Sequence, residues 1–251
     1  MSLPVRPAPS RGRYVFQAAA ILAAGLVLSA MVVVWGAMRV KQSDQTIVVT
    51  GSARQRIISD KVIWRATISF QAPTLAGAYD SLKSSMPRVQ EYLKSKGISA
   101  EEMTLTSISS ETLKQRNNYG DESGPIVGYA LRQSVEVRSG NVDLVTKISR
   151  ESTDLINQGI LLQSEPPQYI YTKLQDLKQE MLAEAAKDAK ARAEKIAASV
   201  GSRVGGVRAA RMGVLQITPA DSNEVSSMGI NDTSSLEKDI TSVVSITFAV
   251  E

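Results

Sequence analysis

The sequence predicts an α+β domain, an antiparallel sheet with helices on one face, preceded by one transmembrane helix. Three observations predict it. Val15 to Met38 is a run of 24 residues without a formal charge. Val62, Trp64, Ala66, Ile68 and Phe70 alternate with Ile63, Arg65, Thr67, Ser69 and Gln71, the period of two of a strand with one dry face. Leu75, Ala78, Leu82, Met86, Val89 and Leu93 recur at steps of three and four, one apolar helical stripe.

At ~1.5 Å per residue the uncharged run reaches about 36 Å, enough to cross a hydrocarbon core of about 30 Å. Tyr14, Phe16 and Trp35 sit near its ends as an interfacial belt. A cleaved signal carries an apolar run of only about 7–15 residues and small residues before the cut. Here Leu28-Ser29-Ala30 and Trp35-Gly36-Ala37 place a large side chain at the outer position. The run therefore reads as an uncleaved signal anchor. Arg6, Arg11 and Arg13 precede it, and Arg39 and Lys41 follow it. That bias favours a cytoplasmic N-terminus and a domain outside, in a single pass. The organisation predicted is a cytoplasmic tail over 1–14, the anchor in the bilayer over 15–38, a linker over 39–45 and the α+β domain over 46–251.

Charge divides along the chain. Residues 1–41 hold five Lys or Arg and no acid, while residues 42–251 hold 24 Lys or Arg against 25 Asp or Glu. The domain has no basic surplus for nucleic acid. Without Cys or His, disulfides, thiolate chemistry and His-based metal sites are excluded, and so is the commonest neutral-pH base.

In order, Thr46–Ser52 reads as a first strand and Val62–Gln71 as the second. Pro73 stops it and Thr74 caps a helix running to Lys96, interrupted by Pro87 and ended by Gly97. A strand over Met103–Leu113 follows, with Glu101-Glu102 at its start, then a polar loop over Gln115–Gly124. The next strand sets Val127, Tyr129, Leu131, Val135 and Val137 on one face, with Gln133 the odd member. Asn141 caps a helix buried through Leu144 or Val145, Ile148 and Leu155. Gly159–Gln163 is a short strand and Pro166-Pro167 a break. A long Ala-rich helix over Lys173–Val200 has a seam of Leu174, Leu177, Met181, Ala185, Ala189, Ala193 and Ile196, ended by Gly201. Strands over Val207–Ile217 and Thr241–Val250 close the chain as a terminal hairpin. Between them the 22 residues Thr218–Asp239 exceed ordinary loop lengths and read as functional or disordered. The middle, βαββαβ, is the split ferredoxin-like pattern.

Chemical motifs are missing. There is no G-x-S-x-G, P-loop or H-E-x-x-H. Gly205-Gly206 follows a helix and opens a strand, the reverse of a phosphate loop, and reads as a turn. Glu180, Glu184 and Asp188 share a helical face with Lys187, Lys190, Arg192 and Lys195 close by, a solvated face of mixed charge. Trp64 and Tyr129 read as core, and Tyr169 and Tyr171, near the Pro pair, as packing residues with surface contacts the alternative. No catalytic, cofactor-binding or metal-ligating residue is assigned, and no cofactor.

Four segments carry a resemblance: Val49-Thr50-Gly51-Ser52 with Gln71-Ala72-Pro73-Thr74; Lys96 to Glu102 with Thr104; Gly124 to Tyr129 with Val135-Glu136-Val137; and Ala185 to Glu194, continuing through Ala197 and Gly201 to Val204-Gly205. In this order they resemble the SIMPL-domain family of bacterial envelope proteins, over roughly 46–251. The resemblance implies an exported α+β domain that forms homo-oligomeric rings or cages and brings no catalytic residues, and it implies that the membrane crossed is a bacterial inner membrane. The expectation is a membrane-anchored, non-enzymatic envelope protein whose partners are its own copies and the lipid bilayer. A pore or transport component and an uncharacterised hydrolase are the rival readings.

Overall fold

In a computed structural model, the structure describes residues 11–43, 45–116 and 123–251. A helix α1 (Arg11–Ser43) carries the uncharged run. It contains an 18-residue window, Ala19–Gly36, long and apolar enough to span a membrane and unburied by the rest of the protein. After it come β1 (Thr46–Ile58), β2 (Lys61–Ala72), α2 (Leu75–Ser95), β3 (Met103–Leu105), β4 (Ser109–Lys114), β5 (Ile126–Ser139) and α3 (Val142–Glu151). The chain closes through β6 (Leu162–Ser164), β7 (Gln168–Ile170), α4 (Leu174–Ser199), β8 (Val204–Met212), β9 (Gln216–Pro219), β10 (Ile230–Asn231) and β11 (Glu237–Val250).

These elements build two sheets. One has the order β3-β5-β2-β6, with β4 also on β5 and β7 also on β2. Every pairing in it is antiparallel. Taking β3 with β4 and β6 with β7 as single lanes, this is the split βαββαβ arrangement expected from the sequence. The other sheet runs β1-β11-β9-β10 with β8 also on β11. The chain forms two compact units, Met1–Gly51 with Lys187–Arg211 and Val244–Glu251, and Ser52–Ala186 with Met212–Val243.

The core of the second unit follows from the two periodicities. Val62, Trp64, Ala66 and Ile68 of β2 are buried, as are Val135 and Val137 opposite them in register on β5. Ala78, Leu82, Met86, Val89 and Leu93 of α2 and Val145 and Ile148 of α3 join them in one cluster. Thr74 Oγ1 accepts from Gly77 N at 3.2 Å and Asn141 Oδ1 from Leu144 N at 3.2 Å, so both caps form as expected. Gly97 adopts φ +99°, and Ile98 N donates to Leu93 O across it, a left-handed helix stop. At Gly128, a Cβ would lie 2.9 Å from Ala72 O; only glycine permits that approach of β5 to β2.

Several boundaries differ from expectation, each for a local reason. Pro87 does not break α2, because buried side chains on both sides of it hold the stripe in place. The strand expected over Met103–Leu113 is two, β3 and β4. At the gap Gln133 Nε2 donates to Thr106 O and Ser134 N to Thr106 Oγ1, so the odd polar member of β5 fills the break. Glu101-Glu102 lie in a 3-10 turn, Ala100–Glu102, with the Glu102 carboxylate accepting from Ser99 N and Oγ. Leu155 is buried from a second 3-10 turn, Ser152–Gln158, rather than from α3. β7 forms beyond the Pro pair, where no strand was expected. The seam of α4 ends on Ala197, 2% exposed, and not on Ile196, 48% exposed. The step of four from Ala185 through Ala193 continues to 197. The strand expected over Val207–Ile217 divides at Gly213 into β8 and β9. Gly205-Gly206 lie inside β8, not in a turn. Most of the loop Gln115–Gly124, including Asp121-Glu122, lies outside the described residues.

Candidate functional site

The expected long loop Thr218–Asp239 begins in β9, holds β10 and ends in β11, and its last two residues are a buried charged pair. Lys238 and Asp239, the second and third residues of β11, are 2% and 3% exposed. Alternation along a strand sends consecutive side chains to opposite faces, so the two enter different surroundings.

Lys238 Nζ donates to the main-chain oxygens of Tyr169, at 2.6 Å, and of Asp232. It ties β7 to the segment before β11. Asp232 is held by its own turn, its carboxylate accepting from Ser234 N, Ser234 Oγ and Ser235 N. Burial pushes the Lys238 ammonium below the ordinary lysine range, opposed by Asp232. Beside it lies a cleft of about 160 Å³ walled by Ile57, Tyr171, Leu174 and Ile217. Ordinary ligand sites occupy roughly 300–1,000 Å³.

On the other face, the Asp239 carboxylate is surrounded by donors. Arg54 Nη2 reaches Oδ2 at 2.6 Å, and Arg56 forks onto both oxygens, Nε at 3.1 Å and Nη2 at 3.2 Å. Asp221 N donates to Oδ2 at 2.8 Å. Arg56 also pairs with the Asp221 carboxylate. Asp221 sits at φ +64°, a left-handed conformation that Asp tolerates better than most residues. The Arg56 hydrogen bond comes first among the causes that hold Asp239 far below the ordinary carboxylate range. The same pairing raises Arg56.

These ion pairs explain why β1 runs six residues past its expected end at Ser52. Arg54 and Arg56, at i and i+2, project from one strand face toward the same carboxylate. The signal was present as an Arg-x-Arg pair and a Lys-Asp pair heading an apolar strand. Neither names its partner, and about 185 residues separate them.

The helix-free face of the six-stranded sheet holds a second network. Glu136, 9% exposed, accepts from Arg65 Nη2 at 2.7 Å and from Arg138 Nε at 2.6 Å. Thr67 Oγ1 meets Ser134 Oγ, and Arg132 pairs with Glu111. Arg65, first, and Arg138 lower the Glu136 carboxyl.

Chemically, these groups bind one another. The Lys238 ammonium is solvated by carbonyls, and the two buried carboxylates are neutralised by guanidinium groups that hold no proton-accepting position. Among the described residues no cluster of three metal-ligating side chains occurs. Asp188 pairs with Arg192 at 2.8 Å along α4, as a solvated mixed-charge face does. Trp64 is core, its Nε1 donating to Ser164 Oγ. Tyr169 is buried with its hydroxyl against Thr146; Tyr129 and Tyr171 are half-buried at the edges of two apolar clusters.

What remains open is β8. Among the described residues it pairs only with β11, and every side chain from Val207 to Met212 is exposed. Val207 is 60% and Met212 67% exposed. Arg203 N and O pair reciprocally with Glu251, an antiparallel start with Arg203 N–H facing β11.

A family description, SIMPL, protein of unknown function (DUF541), matches residues 47–248. No curated protein matches the chain.

Proposed function

The chain belongs to the SIMPL family, and we propose that it is a membrane-anchored cell-envelope protein that assembles with copies of itself and performs no catalysis. α1 is the anchor, with the N-terminus cytoplasmic and the folded part outside a bacterial inner membrane. The absence of Cys suits an oxidising compartment.

The observation that carries assembly is β8. An edge strand of nine residues that pairs, among the described residues, on one side only, with exposed Val207 and Met212, is a template for pairing with another chain. A shared membrane supports this, because tethering raises the effective concentration of weak contacts. By contrast, the charged groups that would suggest chemistry are consumed in ion pairs and main-chain bonds.

The test is the mass of the detergent-extracted full-length chain. Several times 27.0 kDa is expected at micromolar concentration, and a clean monomer would overturn the proposal. Because Arg203 N–H faces β11, alternation turns the N–H of residue 210 outward. Ala210→Pro removes that outward donor while sparing the β11 ladder. The variant is expected to lower the assembled fraction at least tenfold with an unchanged circular-dichroism spectrum.

A further inference from the structure

We propose that the turn between α4 and β8 is a membrane-contact surface, Val200 and Ile196 seating in the headgroup layer beside the anchor with Arg203 at its phosphates. The inference rests on α1 being a membrane anchor.

Chain length supplies the first argument. The uncharged run ends at Met38 and α1 at Ser43, about 7.5 Å farther along a helix. From Ser43 to Thr46, the first residue of β1, three residue steps reach at most about 11 Å. Thr46 therefore lies within roughly 18 Å of the hydrocarbon edge, and headgroups fill about 5–8 Å of that.

Hydrogen bonds place the turn at the same rim. Val250 N donates to Gln45 O at 2.9 Å, on one side of β11. On the other side Arg203 N donates to Glu251 O at 2.8 Å and Glu251 N to Arg203 O at 2.9 Å. Gln45 and Arg203, the residues just before β1 and β8, thus flank the end of β11, about 10 Å apart across it. Val200 precedes Arg203 by three residues. Gly201 at φ +75° turns the chain sharply out of α4, and Ser202 N closes the helix on Ala197 O.

The exposed side chains fit that neighbour. Val200 is 73% and Ile196 48% exposed. They stand four apart, on one face, outside the buried Ala seam. Arg203, three residues after Val200, is exposed as well. An apolar pair with a basic neighbour is the composition of an interfacial contact, and a tether makes a weak one sufficient.

The chain has no Cys, so single cysteines report cleanly. Spin labels at Val200→Cys, Ala191→Cys and Gly25→Cys are placed in the full-length chain, in vesicles of phosphatidylethanolamine and phosphatidylglycerol. Ala191 is exposed on α4, nine residues or about 13 Å back along the helix. Accessibility to a water-soluble nickel chelate is expected to be at least threefold lower at Val200 than at Ala191, and lowest at Gly25. A label at Ser202 is expected to regain accessibility when Val200→Asp is added. Equal accessibility at Val200 and Ala191, with Gly25 protected, would overturn the contact and leave the anchor standing. A chelate-accessible Gly25 would overturn the anchor and the contact together.

Discussion

Replacing Asp239 by Asn keeps the size and shape of the side chain and removes its charge. Asp239 Oδ2 and Oδ1 accept three guanidinium hydrogen bonds and one from Asp221 N. Hydrogen bonds to a charged acceptor contribute roughly 1.5–3 kcal/mol each. The side chains of Arg54 and Arg56 are 46% and 45% exposed while that of Asp239 is buried, so solvent screens the arginine side and the bonds do not add. A net loss of about 2 kcal/mol is the reasonable magnitude. For a folded part of this size, 1 kcal/mol moves Tm by about 2–4 °C, so Asp239→Asn is expected to lower it by about 4–8 °C at pH 7. The carboxyl is depressed in the folded state. Its contribution is therefore full above the unfolded value near 4 and is lost as pH falls through the folded value. The gap between wild type and Asp239→Asn should close progressively below about pH 4. Thermal circular dichroism of the full-length chain in detergent measures both. A shift under 1 °C at pH 7, or a gap that stays constant down to pH 2, would refute the reasoning.

Lys238→Met removes the donor to Tyr169 O and Asp232 O, and two stranded carbonyls outweigh the relief of burying a cation. We expect a loss of about 2 kcal/mol by denaturant titration. In the wild type Lys238 is depressed, so its share of stability rises with pH between its folded value and about 10.4, and this slope should vanish in the Met variant. Gly128→Ala places a Cβ 2.9 Å from Ala72 O and is expected to cost about 1–3 kcal/mol, read as faster amide exchange along β2 and β5. Trp64→Ala empties a fully buried site on the sheet face under α2 and is expected to cost about 3–5 kcal/mol, read from the same titration.

Local pattern made much of this fold legible. The dry face of β2, the stripe of α2, the caps at Thr74 and Asn141 and the stops at Gly97 and Gly201 all depend on residues close in sequence. Features that depend on distant partners were not readable. The polar end of β1 is a strand because Asp239 waits at the head of β11. The split of β3 from β4 depends on Gln133 of another strand. Ile196 looks like the natural end of the α4 seam by its side chain alone, yet the geometry of four-residue steps selects Ala197. No sequence motif announced the buried lysine and carboxylate, because alternation sends Lys238 and Asp239 to opposite faces without naming the groups that meet them there.

The anchor is the premise of both proposals, and the intact mass of the chain recovered from the membrane fraction of expressing cells tests it most directly. A species of 27.0 kDa, carrying residues 15–38, is the result the account predicts. A shortened species beginning beyond Met38 would contradict it.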